Sequence, residues 1–226
     1  MPRIVLVTGA KGGLGTHVTR TFLDAGDRVV GSSRSIADSE FASDRFAAIP
    51  ADLSKAEDAI HLADAAVERF GAIDVLVHVA GGFAYGGPIP ETSDAIWDQM
   101  MSLNARAAFH VLRAVIPHMR RRKSGRIVAI GSRAGVEPAA NIAAYAASKA
   151  ALVSLVKTAS LENSDLGITA NVILPGTIDT EANRQADPQA DRSKWVSPER
   201  IAALALFLAS DAAAAITGAA IPIYGV

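Results

Sequence analysis

The chain has no cysteine, few aromatic side chains and almost no net charge. Without cysteine it can form neither a disulfide framework nor a thiolate metal site. A formal net charge of −1 argues against nucleic acid or an anionic membrane surface as a main partner. The 5 histidines show no metal-ligand spacing with carboxylates, so we predict no metal.

Long apolar runs are missing as well. No stretch of the sequence is long enough and apolar enough to cross a bilayer. The first strand pattern begins at residue 3, which leaves no room for a signal peptide. We therefore expect a cytoplasmic protein that has no membrane partner.

What the sequence does contain is a large share of hydrophobic residues, 50 % of the chain, enough for one core in a single domain over 1–226. Strand and helix patterns alternate with short connections. Strands are predicted at 3–8, 28–33, 46–50, 73–79, 125–131, 168–174 and 220–224. Helices are predicted near 14–25, 55–70, 93–120, 143–163 and 198–209, with a short turn of helix after Asp179. Because the strands lack polar alternation, we expect an α/β fold with a doubly wound parallel sheet of Rossmann type, about seven strands flanked by helices.

A glycine-rich turn follows the first predicted strand directly. Gly9, Gly13 and Gly15 stand in the spacing G-x-x-x-G-x-G, and a helical pattern begins at Leu14. Glycines allow the close approach of a pyrophosphate, and a helix N-terminus offers free N–H groups and partial positive charge. An ordinary turn between strand and helix also contains glycines. The position at the first such junction nevertheless favours a dinucleotide site.

Tyr145 and Lys149 stand four residues apart in the Ala-rich segment 144–157, which is typical of a helix. At that spacing the two side chains share one helix face. A free phenol has a pKa of about 10, and a neighbouring ammonium lowers that pKa toward useful proton-transfer chemistry. On this pair alone, a surface tyrosine beside a solvated lysine stays an open interpretation.

Further motifs occur along the chain in the order found in the short-chain dehydrogenase/reductase family. The glycine turn, with Thr8, resembles the family's Thr-Gly-x-x-x-Gly-x-Gly element, and Tyr145 and Lys149 match its Tyr-x-x-x-Lys pair. The other matches in chain order are Asp52 after the third strand, Asn104, Ser132 at the end of the fifth strand, and Pro175-Gly176 after the sixth. The resemblance covers nearly the whole chain and implies an oxidoreductase that uses a nicotinamide dinucleotide.

The resemblance also implies roles for four catalytic residues. Tyr145 gives its proton to the developing alkoxide, or removes the proton in oxidation, while Lys149 binds the nicotinamide ribose and holds down the tyrosine pKa. Ser132 hydrogen-bonds the substrate oxygen where charge develops, and Asn104 anchors a water that connects Lys149 to solvent. Read without the resemblance, Asn104 caps a helix, Ser132 satisfies a backbone group and Lys149 is exposed.

The end of the second strand bears on the choice of cofactor. The chain reads Ser33-Arg34 where NAD-binding chains carry a carboxylate for the ribose hydroxyls. Arg34 can fork onto a 2′-phosphate, Ser33 can donate to it, and Lys11 adds positive charge. We predict NADP(H) as the preferred cofactor, with NAD(H) possible. The cofactor-binding residues that the resemblance implies are Gly9, Lys11, Gly12, Gly13, Leu14, Gly15, Ser33, Arg34, Asp52, Leu53, Ala80, Gly81, Tyr145, Lys149, Pro175, Gly176, Thr177, Ile178 and Thr180.

One motif departs from the family pattern. The family's Asn-Asn-Ala-Gly element is matched only in part by His78-Val79-Ala80-Gly81. We interpret His78 as a buried histidine that hydrogen-bonds the backbone rather than as a catalytic group. The departure leaves the local hydrogen-bond network near the adenosine open, but not the chemistry.

The longest irregular stretch, 177–197, lies where the family keeps its substrate lid. Within it, 179–184, 188–191 and Trp195 resemble the corresponding segment of dihydropteridine reductases, which reduce a quinonoid pterin and lack the catalytic serine. Because Ser132 is present, we predict a carbonyl or alcohol substrate, with pterin reduction as one alternative and a dinucleotide-binding sensor without turnover as another. The candidate substrate residues are Phe83, Arg133, Asn141, Asn183 and Trp195.

The family usually associates through two long helices, which correspond here to 95–120 and 143–163. The second of them carries small residues such as Ala146, Ala147 and Ala150, which permit close helix packing. We expect a homo-oligomer, a tetramer or at least a dimer.

Overall fold

The computed structural model describes residues 2–225 and contains a seven-stranded parallel sheet. The strands are β1 (Ile4–Thr8), β2 (Arg28–Ser32), β3 (Phe46–Ala48), β4 (Val75–His78), β5 (Gly125–Ile130), β6 (Ile168–Pro175) and β7 (Ala220–Ile223). Their order across the sheet is β3-β2-β1-β4-β5-β6-β7. The predicted doubly wound Rossmann-type sheet is confirmed, and the predicted strand ends differ from the observed ones by one or two residues.

Seven α-helices connect the described strands. They are α1 (Gly13–Asp24), α2 (Ala56–Phe70), α3 (Asp94–Met100), α4 (Ala107–Arg122), α5 (Ala143–Asn163), α6 (Glu181–Ala186) and α7 (Pro198–Leu208). The predicted helix over 93–120 is confirmed as unbroken helical backbone from Asp94 to Arg122, but Met101–Arg106 form a π-helical turn within it, between α3 and α4. A π-turn places one extra residue in a helical turn and is found frequently at functional sites. Hydrophobic periodicity over the whole stretch does not reveal such an insertion.

Different helices cover the two faces of the sheet. Alternate residues of β1 point to opposite faces, so Val5 and Val7 join the layer with α1 and α7, whereas Leu6 joins the layer with α2, α4 and α5. Successive strands are added toward one edge of the sheet from β1 to β3 and toward the other edge from β4 to β7. The switch point therefore lies between the neighbouring strands β1 and β4. In open parallel sheets, ligands bind beyond the carboxyl ends of the strands at such a switch point.

The predicted lid segment 177–197 begins and ends on the body of the sheet. An isolated parallel bridge joins Ile178 to Val196, and Val196 is fully buried in the core. Between these two residues the chain forms the short helix α6 and an exposed loop. Among residues 2–225, no helix combines the length and the apolar character needed to cross a membrane.

Candidate active site

The glycine turn forms the tightest part of the site. Gly9 has a φ of +70° and a side chain there would lie 2.8 Å from the Ala80 nitrogen, so only glycine fits. A side chain at Gly15 would collide with the carbonyl oxygen of Gly9. The turn therefore brings the N-terminus of α1 up to the ends of β1 and β4, with free N–H groups facing the cleft.

A cleft with a volume of about 420 Å³ opens beside this turn. Most of the predicted cofactor residues line it: Gly9, Gly12, Gly13, Leu14, Gly15, Ser33, Arg34, Asp52, Leu53, Ala80, Gly81, Tyr145, Lys149 and Ile178. Sequence reasoning missed others: Ser32, Ala51, Ser54, Val79, Gly82, Leu103, Ala107, Ile130 and Gly131. Most of these are chain neighbours of predicted residues and could have been found by extending each motif by one position. Leu103 and Ala107 reach the cleft through the π-turn, for which the sequence gives no signal.

At one end of the cleft, Asp52 accepts the hydroxyl of Ser54 at 2.8 Å and the Ser54 N–H at 3.1 Å. These two bonds lower the pKa of the Asp52 carboxyl below its usual range, with smaller contributions from Lys55 and Arg34. The carboxylate is thus held in place beside Leu53, where the adenine of a dinucleotide was expected. Arg34 is exposed at the same end.

Five predicted cofactor residues do not line the cleft: Lys11, Pro175, Gly176, Thr177 and Thr180. The Lys11 ammonium is paired instead with Glu40 at 2.5 Å, and its backbone N–H donates to Ser33 Oγ at 3.2 Å. Thr180 lies against the far side of Gly13, whose Cβ would be 3.0 Å from the threonine methyl group. The ion pair explains why the Lys11 ammonium does not face the cleft. This pair could not be predicted, because Glu40 lies 29 residues after Lys11 and no local sequence pattern connects the two.

The Asn104 side chain has a partner for each of its polar atoms. Its Oδ1 accepts the Gly82 N–H at 3.0 Å, and its Nδ2 donates to the Gly82 carbonyl at 3.0 Å and to Ser148 Oγ at 3.0 Å. Ser148 in turn donates to the Tyr145 carbonyl at 2.7 Å. Asn104 is completely buried, so this network fixes the loop after β4 to the first turns of α5.

Lys149 reaches the floor of the cleft from α5. It is 5 % exposed, and its ammonium donates to the carbonyl of Ile130 at the end of β5 at a distance of 3.0 Å. Burial disfavours the charged form and lowers the Lys149 pKa to about 8. A side chain at Gly81 would lie 3.3 Å from the ammonium, so the glycine leaves the lysine open to the cleft.

Tyr145 stands one helical turn before Lys149, and Ser132 hydrogen-bonds its phenol. Burial raises the pKa of the phenol, and the bond from Ser132 lowers it part of the way. Lys149 is not among the groups that shift this pKa here, so its role in lowering the tyrosine pKa stays a prediction. The lysine charge is directed to the Ile130 carbonyl, and desolvation is the larger effect at the tyrosine.

The interpretation of His78 needs a correction too. Its Nδ1 lies 2.9 Å from the Thr8 hydroxyl, a side-chain partner, because register places Thr8 directly opposite and the strand backbone is already paired. The Thr8 hydroxyl also accepts the Ala80 N–H at 3.3 Å, whereas His78 Nε2 is buried without a hydrogen-bond partner among the described residues. Burial, with a contribution from Lys149, lowers the His78 pKa to about 3, so the ring is neutral.

The predicted substrate residues divide into two groups. The Phe83 ring meets the Tyr145 ring edge to face at 5.0 Å, and Asn141, with a φ of +68°, accepts the Gly86 N–H at 3.1 Å through its carbonyl. Arg133 immediately follows Ser132 and begins a short 3₁₀ turn. The Ser132 hydroxyl caps this turn by accepting the Ala134 N–H at 3.2 Å. Of these three residues, Phe83 contacts Tyr145 directly, whereas Asn141 and Arg133 do not line the cleft.

The two lid residues face their own segment instead. Asn183 donates to the Ile178 carbonyl at 2.8 Å, and the Arg192 guanidinium lies 5.8 Å from the centre of the Trp195 ring. Within the described part of the chain, Asn183 and Trp195 contact residues of the predicted lid segment and do not contact Tyr145 or Ser132. The sequence shows that both residues belong to segment 177–197, but it does not predict which groups they bond to.

Comparisons with known proteins agree with this architecture. The family model described as short chain dehydrogenase matches residues 3–191. A 3-oxoacyl-[acyl-carrier-protein] reductase of rhamnolipid biosynthesis from Pseudomonas aeruginosa is 36 % identical over 247 residues, which cover 99 % of this chain and 95 % of the relative.

Two solved structures are similar over the same length. The structure described as ElxO with NADP bound has a TM-score of 0.93 and 26 % identity, covering 99 % of this chain and 97 % of the other. A xylitol dehydrogenase with bound NAD⁺ has a TM-score of 0.92 and 27 % identity, covering 99 % and 98 %. The chain therefore belongs to the short-chain dehydrogenase/reductase family and is an oxidoreductase that uses a nicotinamide cofactor.

Proposed function

We propose that the protein transfers hydride between NADP(H) and a carbonyl or alcohol substrate through Ser132, Tyr145, Lys149 and Asn104. The observation that supports this most directly is that Tyr145 and the buried Lys149 line the dinucleotide cleft and that the Ser132 side chain interacts with the Tyr145 phenol. A purely structural tyrosine and lysine would not need to face a cleft that is built on a glycine turn.

The residues present fit a dinucleotide. The glycine turn and the N-terminus of α1 would hold the pyrophosphate, Asp52 and Leu53 the adenine, and Lys149 with Tyr145 the nicotinamide ribose. The bound nicotinamide would supply or accept the hydride. Tyr145 would hold the proton that the substrate oxygen receives on reduction, and Ser132 would donate a hydrogen bond to that oxygen as charge develops.

Asn104 and Ser148 would act on the far side of Lys149. Their network fixes Gly82 and the Tyr145 carbonyl, and thereby the positions of the loop after β4 and of α5. Asn104 would also anchor the water through which Lys149 is reprotonated. Proton transfer from solvent to Lys149, to Tyr145 and to the substrate oxygen would let a half-buried phenol recover its proton after each reduction.

We infer a preference for NADP(H) from the end of β2. Arg34 is exposed at the ribose end of the cleft beside Ser33, and the predicted second cation, Lys11, is paired with Glu40. The 2′-phosphate would thus depend on Arg34. Comparing kcat/KM for NADPH and NADH in wild type and Arg34→Ala tests this, and an NADH preference that survives the substitution would contradict it.

The reaction itself is tested with NADPH consumption on a panel of ketones, aldehydes and quinones, with cofactor binding measured in parallel. Turnover on the carbonyl compounds supports the proposal. Cofactor binding with no turnover across the panel would favour the second candidate, a dinucleotide-binding sensor.

Pterin reduction is a third possibility, favoured by the likeness of 179–195 to the lid of dihydropteridine reductases. A quinonoid ring delocalises incoming charge and needs less help from a serine. Quinonoid dihydropterin and simple ketones should therefore be compared in wild type and Ser132→Ala. Loss of ketone activity without any pterin turnover supports carbonyl chemistry, whereas fast pterin turnover that is indifferent to Ser132 overturns it.

We also propose a single-domain chain that assembles as a homo-oligomer, a tetramer or a dimer. Three large apolar side chains on α3, α4 and α5 are exposed, namely Trp97 at 46 %, Phe109 at 45 % and Leu161 at 82 %. Light scattering that gives the mass of one chain would reject both assemblies.

A further inference from the structure

Two large aromatic side chains on the loop after β4 are largely exposed. Phe83 is 61 % exposed and Tyr85 62 % exposed, although both belong to the loop that Asn104 holds in place. The Phe83 ring meets Tyr145 edge to face, so one of its faces remains uncovered next to the phenol. An apolar body bound at this point would cover surface that water now covers.

On the other side of Ser132 lies a compact polar cluster. The Arg133 guanidinium donates to Glu137 at 2.7 Å and sits 4.8 Å from the centre of the Tyr224 ring, and the Tyr224 hydroxyl donates to the same carboxylate at 3.2 Å. The cation nearest to Ser132 in sequence is thus neutralised by a carboxylate and covered by an aromatic face. A substrate that carries a carboxylate would meet Glu137 together with Arg133.

We propose that the substrates are uncharged ketones, or the matching secondary alcohols, whose carbonyl carbon belongs to a ring. The inference rests on the proposed carbonyl chemistry and adds the substrate class to it. Phe83 supplies an exposed apolar face beside Tyr145, and the Arg133–Glu137–Tyr224 cluster supplies no net charge to recruit an anion.

A ring suits the exposed Phe83 face better than an open chain. A rigid ring that holds its carbonyl oxygen at Tyr145 and Ser132 lays a fixed flat surface on Phe83. An open chain covers the same area only after several bonds lose their rotational freedom, which reduces the net gain. Removal of the Phe83 ring is therefore expected to penalise a ring ketone more than an open-chain ketone with the same number of carbons.

The first test compares cyclohexanone with hexan-2-one in wild type and Phe83→Ala. Cyclohexanone is intrinsically easier to reduce, so the diagnostic quantity is the change in the ratio of the two kcat/KM values. We expect this ratio to fall about tenfold, the scale of a lost aromatic contact. Phe207→Ala is the matched control, because Phe207 is 45 % exposed on α7, and we expect it to leave the ratio unchanged.

The second test compares acetoacetate with cyclohexanone in wild type and Glu137→Gln. Neutralising Glu137 frees Arg133, so the ratio of kcat/KM for the carboxylate to that for the ring ketone should rise about three- to fivefold, as for an exposed charge pair. Glu162→Gln is the control, because Glu162 is also an exposed partner of an arginine, at 3.9 Å from Arg120. A similar rise in the control would show an effect of overall charge and overturn the role of Glu137.

The outcomes separate this inference from the proposed function. Turnover of all three compounds with ratios that neither Phe83→Ala nor Glu137→Gln alters overturns the substrate class and leaves carbonyl chemistry standing. Wild-type preference for acetoacetate over both neutral ketones also overturns it. NADPH binding without turnover of any carbonyl compound overturns both proposals.

Discussion

The candidate active site (the centre) and the predicted lid segment 177–197 (the lid) are built in opposite ways. In the centre, the side chains of Asn104, Ser148 and Lys149 are buried and bond to backbone or to each other across three separate elements. In the lid, Arg184 pairs with Asp179 at 2.6 and 2.9 Å, five residues away along the same exposed segment. The centre is held by buried contacts between distant segments, whereas the lid is held by exposed contacts between near neighbours in the chain.

The difference shows where each property of the enzyme is encoded. A buried network is stabilised by the whole core, so a change within it alters stability and chemistry together. An exposed local pair contributes little to the fold, and the lid can open or vary without cost to the sheet. We expect the chemistry to depend on the centre and the admission of substrate to depend on the lid.

The largest expected effect is at Tyr145. Tyr145→Phe removes the phenolic proton and keeps the ring that packs against Phe83, so kcat should fall at least about 10²-fold. Steady-state NADPH oxidation measures the loss, and NADPH titration checks that cofactor binding survives. Full turnover in this variant would contradict the proton-donor role.

The burial of Lys149 should make the free energy of unfolding depend on pH. Its folded-state pKa of about 8 lies below the unfolded value of 10.5, so between those pH values the unfolded chain holds more protons and the free energy of unfolding rises with pH. The cost of burying the charge is complete below pH 8 and reaches about 3 kcal/mol at most. Lys149→Met should abolish this rise.

Urea unfolding of wild type and Lys149→Met from pH 7 to 10.5 measures the effect. The difference in unfolding free energy between the two proteins should change across the window and level off at its upper end. Lys157→Met, at an exposed position of the same helix, serves as the control and should show no such trend. A difference that is constant with pH would mean that the Lys149 ammonium is hydrated in solution.

Asn104 offers a comparison with a second asparagine of similar construction. Asn171 is also fully buried and also holds backbone in both directions, donating to Ile216 at 2.7 Å and accepting from Ala219 at 3.0 Å. Either residue changed to alanine should lose about 2 kcal/mol of stability, because backbone groups are left unpaired. Only Asn104→Ala should lose turnover as well.

Chemical unfolding and kcat for both asparagine variants, measured below their unfolding transitions, test that contrast. Equal losses of turnover would mean that Asn104 acts through general stability alone.

The smallest effect is expected in the lid. Arg184→Ala removes an exposed ion pair that orders the start of α6, so KM for the substrate should rise about threefold while kcat and the thermal midpoint stay as in wild type. Arg20→Ala, on the exposed side of α1, is the control. A large loss of thermal stability in Arg184→Ala would remove the distinction between the two regions.

The fold and most of the residues that line the cleft could be predicted because their signals are local. Uninterrupted β-branched runs predict buried parallel strands, and Gly9 to Gly15 or Tyr145 to Lys149 are short motifs whose geometry follows from one turn or one helix. What could not be predicted depends on contacts between distant segments. The Lys11–Glu40 pair, the His78 bond to Thr8 and the burial that raises the Tyr145 pKa all arise only when separate elements meet.

The π-turn at Met101–Arg106 has a consequence for how the chain tolerates changes of length. A surface loop absorbs the gain or loss of one residue, but in a helix the same change rotates everything beyond it by about 100°. The π-turn can absorb such a change, because losing one residue lets Met101–Arg106 close into regular α-helix while α3 and α4 keep their places, but the Asn104 amide would then turn away from Gly82. In this part of the chain the number of residues therefore matters as much as their identity. We expect a deletion that converts the π-turn into regular α-helix to lower activity while the helix itself stays formed.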